Sequence, residues 1–327
     1  MISRGFADVP VWSYAVGLIV IGLLLTAPVS YRLAGAGWTR RSPRPALLLW
    51  QAVCLAAGFS VVAGLVLLAV EPLGSNLFGG AWQWFAALLS GTLTEPIWRI
   101  GCGLAAAGLT ISLLSVLVHT AFRTVQRRRA HRQVLDLLTG STDRLTGRTA
   151  QFDRRLRILD HRAAVAYTLP GWHARVVLSA GLIELLDPDE LDAVIEHERA
   201  HLRARHDLLV LPFQAWAVAL GWVPGVRSAG GSVAELTEML ADDVAAVRTS
   251  RSALASALAK VALADPVAAL SAERPAGSPA IAGTAVADRV RRLLDPRPLS
   301  GWQRAAVGLA CLLLLAIPAS VILLSWA

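Results

Sequence analysis

Apolar positions along this chain gather in long runs rather than in alternating stripes. Four of them, 11–29, 46–70, 100–122 and 305–326, reach the roughly 20 residues that cross a bilayer as a helix. The first predicts a retained helix and not a cleaved leader, because only Arg4 precedes it, Asp8 offsets that charge, and Arg-rich sequence follows. From 123 to 303 the pattern turns polar, apart from a fifth apolar run at 208–226. These runs predict three transmembrane helices within 1–122, a polar domain over 123–303, and a fourth helix within 304–327. The class expected is a mainly α membrane protein with an α+β domain inserted between helices 3 and 4.

Composition supports that division. Hydrophobic residues make up 55% of the chain and charged residues 17%, against about 25% in ordinary soluble domains, which excludes a wholly soluble protein. Cys54, Cys102 and Cys311 all fall in apolar runs and no CxxC pair exists, so a disulfide framework and a zinc ribbon are both excluded. The net charge of +8 comes almost wholly from arginine, with Lys260 the lone lysine. Such a bias reflects background composition rather than a nucleic-acid face, and no direct nucleic acid binding is expected.

The distribution of arginine orients the helices. The loop 30–45 carries Arg32, Arg40, Arg41 and Arg44 without an acid, whereas 71–99 carries Glu71, Glu95 and Arg99. By the positive-inside rule the first loop is cytoplasmic and the N-terminus outside. Arg123, Arg127, Arg128, Arg129 and Arg132 follow the third helix in the same compartment, which puts the 123–303 domain on the cytoplasmic side of a cell membrane. Trp82, Trp84 and Phe85 suit the headgroup layer of the outer surface.

The polar domain carries the candidate chemistry. Asp187-Pro188-Asp189-Glu190 predicts a capped helix start, and the helix runs on to His197-Glu198-Arg199-Ala200-His201, an HExxH motif. Histidines four apart share a helix face and can reach one Zn²⁺, with Glu198 beside them to take a proton from a water at the metal. His206 falls about 180° around the helix from His197 and cannot share that metal without a break. The third ligand must come from another helix. Glu238 is the candidate, with Asp242 one turn on, placed to fix a ligand histidine through its outer nitrogen, and Glu235 in reserve. Glu238 and the histidines must lie on one side of the membrane, so 208–226, with Pro212, Gly221 and Pro224, is expected to pack in the domain or on the leaflet rather than span. Val176, Val177, Leu178 and Ser179, β-branched in part, predict a strand ahead of the motif. His119, His131 and His161 read as solvated or interfacial, His173 as surface or cleft, and 273–285 as a Pro-rich linker or self-cleaved loop.

HERAH followed by EMLADDVAA resembles the gluzincin pattern of HExxH plus ExxxD, shared by two membrane peptidase groups. The stretch from Val176 to Leu182, then Asp189-Glu190-Leu191 and His206-Asp207, is similar to the BlaR1/MecR1-type family, M56, as is the basic segment Asp288 to Leu294. Three helices ahead of the domain favour that family over the HtpX/Ste24 type, M48. With the chain ending at Ala327, the extracellular sensor of the receptor members is expected to be missing. The resemblance implies an integral membrane zinc endopeptidase with one Zn²⁺ per chain. His197, His201 and Glu238 would be its ligands, Glu198 its general base and Asp242 the residue behind the ligands. It implies further that the strand 176–179 is an edge that pairs with extended substrate. The partners implied are a protein or peptide substrate, such as a cytoplasmic transcriptional repressor or the chain itself in signalling, together with the lipid bilayer and a second copy as a homodimer. An HtpX-like quality-control protease and a non-catalytic metal-binding scaffold are the alternatives.

Overall fold

A computed structural model describes residues 10–71, 73, 77–138, 156–169, 174–223, 225–264 and 279–324, with the backbone alone for 127–138, 279–284 and 324. His173, the side chain of His131 and the 273–278 part of the Pro-rich stretch lie outside the described residues. The structure is mostly helical, and four of its helical stretches, Val11–Ala34, Pro43–Val70, Ile97–Gln126 and Gly301–Leu323, are long and apolar enough to cross a membrane. Their arrangement is that of a multi-pass membrane protein.

Helix α4 (Pro43–Val70) is the axis of the bundle. It opens with Pro43 in the first turn, where the missing N–H costs nothing. Helix α1 (Val11–Leu24) packs along it through small residues: a Cβ on Gly22 would lie 2.9 Å from the Ala57 carbonyl oxygen, and one on Gly64 2.7 Å from that of Ala15. Without a hydrophobic driving force between helices in lipid, such close backbone approach supplies the packing. Below α1 the chain makes a π-helical turn at Leu25–Val29 around Pro28, whose ring cannot sit in a regular α-helix, and continues as α2 (Ser30–Ala34) and α3 (Gly37–Arg41). Helix α5 (Leu77–Ser90) leaves Phe78, Trp82 and Leu89 exposed, while Trp84 is buried against Ala69 and Val70. Helix α6 (Ile97–Leu138) continues well past the length of a span.

The polar region begins with three strands, β1 (Leu156–Leu159), β2 (Ala166–Leu169) and β3 (Arg175–Ser179), in the order β1-β3-β2. Strand β3 pairs parallel with β1 and antiparallel with β2. This corrects the expectation of a substrate-pairing edge at Val176, Val177, Leu178 and Ser179. Both sides of that strand are already taken, and all four residues are buried as the apolar centre of the sheet. The edge strand packed on the motif helix is β2.

Helices α7 (Ala180–Leu185), α8 (Pro188–Ala204), α9 (His206–Leu220), α10 (Val226–Arg248), α11 (Arg251–Ala264), α12 (Pro279–Leu294) and α13 (Gly301–Leu324) follow. The fifth apolar run forms α9, a 15-residue helix too short to span. It lies beside α4: the Gln51 side-chain amide donates to the Leu209 carbonyl, Phe213 meets Trp50 edge-on, and Trp216 packs over Gly58. At its far end Gly225, with φ +94°, fits against the Thr26 and Ala27 carbonyls of the π-helical turn, where any Cβ would collide. Helix α10 then returns past α4, burying Ala229, Val233 and Leu236 in the same cluster as Trp50 and Phe213. The α9–α10 hairpin thus clamps the polar domain onto the spanning helices.

Candidate metal centre

Helix α8 brings the motif into the domain. Asp187 and Glu190 form a reciprocal capping box, with Pro188 in the first turn, as the sequence predicts. The start is further held by the lone lysine: Lys260 Nζ on α11 donates to Glu190 Oε2 at 2.8 Å and Asp187 Oδ2 at 2.9 Å, and Ser256 Oγ donates to Glu190 Oε1 at 2.6 Å. Burial works to raise the Glu190 pKa, but these donors outweigh it and hold the carboxyl below its usual range. Leu191 and Ile195 bury the opposite side of α8 against the sheet.

With that side anchored, His197 and His201 face α10. Their Nε2 atoms lie 3.2 Å apart, Glu238 Oε2 is 3.5 Å from the first, and Glu238 Oε1 is 3.4 Å from the second. Among the described residues these three form a group able to hold a metal ion. Two ligand atoms at about 2.0–2.1 Å from a tetrahedral metal stand about 3.3 Å apart, so the observed spacing fits a zinc site without rearrangement. Asp242, wholly buried one turn beyond Glu238, places Oδ1 3.0 Å from His197 Nδ1, somewhat off the ring N–H direction. That is the orienting contact a ligand histidine requires. Glu235 turns away to pair with Arg40 at 3.0 Å and takes no part.

Two further residues belong to this centre. Arg289 on α12 forks onto Asp242, Nε to Oδ2 at 2.8 Å and Nη2 to Oδ1 at 2.7 Å, and its Nη1 reaches Glu238 Oε2 at 3.2 Å. Sequence reasoning placed it only in a basic segment; the signal available was a charged residue on the apolar side of an amphipathic helix. His206 is the second. The helix does break, at Arg205 with φ +48°, and His206 begins α9 with its Nδ1 3.0 Å from His201 Nδ1. It backs His201 from the side opposite the three-residue group. Glu198 is half-buried, and its charge is among those that raise the Arg289 pKa.

The electrostatics of the cluster are asymmetric. Burial lowers the His197 pKa, but Asp242 and Glu238 overcome it and push the imidazole up to about 10. His201 is pushed down to about 4, by burial first, with His197 and His206 adding to it against the pull of Glu238. For Glu238, burial is outweighed by His197 and Arg289, and for Asp242 by Arg289 and His197, so both carboxyls lie well below their usual range. A metal ion must therefore displace the proton on His197. Apparent zinc affinity is expected to rise with pH between 6.5 and 8.5, by up to about tenfold per unit, with one proton released per ion bound. Chelator competition in three buffers across that range measures it, and a flat profile would show that zinc displaces no proton from the centre in that range.

An HExxH helix whose two histidines meet a glutamate from a second helix defines a centre of the zinc-peptidase kind. Residues 125–285 match the model of Peptidase family M48, and that match supports a membrane zinc metallopeptidase. A search of curated proteins found no match. The preference for the BlaR1/MecR1 type is not supported. Most of the helices ahead of the domain lie outside the matched residues, and the HExxH plus ExxxD pattern is common to both groups.

Proposed function

We propose that this chain is an integral membrane zinc endopeptidase of the HtpX-like kind, with its catalytic domain on the cytoplasmic side and extended segments of membrane proteins as substrates. The observation that carries the reading is the convergence of His197, His201 and Glu238 at the spacing a tetrahedral metal requires, backed by Asp242 and Arg289. His197, His201 and Glu238 would hold a zinc ion, which would supply Lewis acidity toward a substrate carbonyl and toward water. Glu198 takes the proton from the attacking water and returns it to the leaving amine. Asp242 holds the His197 ring, and Arg289 fixes Asp242 and Glu238. With β3 enclosed, β2 is the strand that presents its backbone to an extended substrate on the α8 side.

Detergent-purified protein is expected to carry one zinc per chain and to cleave an unstructured reporter, with activity removed by a chelator and restored by zinc. Absence of zinc would sink the proposal, and stoichiometric zinc without cleavage of soluble or membrane-embedded reporters would leave a metal-bound scaffold. One observation favours a second reading, BlaR1/MecR1-type signalling: three of the long apolar helices precede the domain and one follows it. Cleavage of a cytoplasmic repressor only on a membrane stimulus would select it.

A further inference from the structure

A second feature lies away from the metal centre, where the spanning helices meet the polar domain. A cavity of about 900 Å³ there is lined by α4 and α13, with residues of α10, α11 and α12 at its domain end. Its walls are polarised. At the domain end stand Arg41, Arg44, Arg251 and Arg304, all exposed, and none has a carboxylate partner among the described residues. Arg292 also reaches the cavity, and it is neutralised by Asp243. Away from that end the lining is apolar: Leu48 and Leu55 on α4, and Cys311, Leu312 and Leu315 on α13. Leu48, Leu55 and Leu312 are each at least 60% exposed, so the groove opens sideways to whatever surrounds the bundle.

We propose that this groove binds an anionic phospholipid of the leaflet facing the domain. Four guanidinium groups at one end, without a carboxylate partner among the described residues, fit a phosphodiester, which arginine recognises through paired N–H donors. The apolar lining of α13 from Arg304 to Leu315 extends about 16 Å at 1.5 Å per residue, close to half of a hydrocarbon core about 30 Å thick. An acyl chain starting at the arginines therefore ends near the bilayer midplane. A free phosphate would use only the basic end, and an apolar helix of another protein would leave the arginines unanswered. Basic pockets between spanning helices are a recurring form of lipid-headgroup site. The lining residue Asp243 directly follows Asp242, and Arg292 lies one turn from Arg289. A bound lipid would thus brace the two helices that support the metal centre. The lipid site stands whether or not the chain is a peptidase.

Full-length protein in detergent, titrated with phosphatidylglycerol or with phosphatidylcholine of the same acyl chains and read by native mass spectrometry, tests this. At least a tenfold preference for phosphatidylglycerol is expected, together with a rise in melting temperature that phosphatidylcholine does not produce. The triple variant Arg44→Gln, Arg251→Gln, Arg304→Gln should lose the preference, and Cys311→Trp, which fills the groove and keeps the charges, should lose the lipid adduct. An unchanged circular dichroism spectrum establishes that both variants fold. Equal binding of the two lipids, a preference that survives either variant, or saturation by glycerol 3-phosphate at the same concentration as by the lipid would each overturn the proposal.

Discussion

Glu198→Gln is expected to lower turnover by about 10³-fold or more while leaving one zinc per chain in place. The amide has the size and shape of the carboxylate, so helix α8 and its buried side are undisturbed, but it cannot accept a proton from water at neutral pH. Glu198 is not one of the three convergent ligands, and it is only half-buried, so zinc is expected to stay bound when its charge is removed. Glu196→Gln supplies the control on the same helix, because Glu196 faces Arg199 and Arg203 at 2.9 and 2.8 Å, away from the metal group. Metal analysis beside initial rates separates the outcomes. Loss of zinc in Glu198→Gln would mean that the residue is a ligand, and retention of full activity would remove it from the chemistry and favour a different base.

What was legible in the sequence depended on how local each feature is. The capping box and the pair His197 and His201 follow from spacing within one helix, and Asp242 follows from Glu238 by one turn, so periodicity alone placed all of them. Non-local features escaped. Whether Val176–Ser179 is an edge or a centre depends on which strands pair, and β1 and β2 are short runs with no pattern that announces a partner on either side. Arg289 is separated from Asp242 by 47 residues of chain that include a Pro-rich stretch, and only tertiary packing brings them together. His206 shows the reverse case. The rotation argument about a continuous helix was sound, but a single left-handed residue, Arg205, ended the helix on which it rested. The order of the helices was legible too, yet the family match covers the motif region and little of the helices ahead of it, so that order does not decide between peptidase families.

The largest effect on stability is expected from Arg289→Met. Its guanidinium is the partner of an aspartate with no solvent exposure, and its fork satisfies both oxygens of that carboxylate while also reaching Glu238. Methionine fills much of the same space and supplies no charge, so the buried Asp242 keeps only His197 as a charged neighbour, and breaking its pair with Arg289 costs about 3–5 kcal/mol. Zinc affinity should fall in parallel by about 10–100-fold, since Asp242 no longer holds the His197 ring in one orientation. The pH dependence separates this cause from simple loss of packing. In the native chain the depressed Asp242 pKa contributes stability that is present above the usual carboxylate value near 4 and lost as pH falls through the lower folded value. In Arg289→Met burial acts unopposed by the arginine and drives the Asp242 pKa upward, so the carboxyl takes up a proton on mild acidification and the penalty is relieved. The difference in melting temperature between native chain and variant should therefore be greatest at neutral pH and shrink toward pH 4. Arg289→Lys, which keeps the charge but not the fork, should fall between them. A difference that stays constant with pH would assign the loss to packing, and an unchanged melting temperature would show that Asp242 finds its neutralising partner elsewhere.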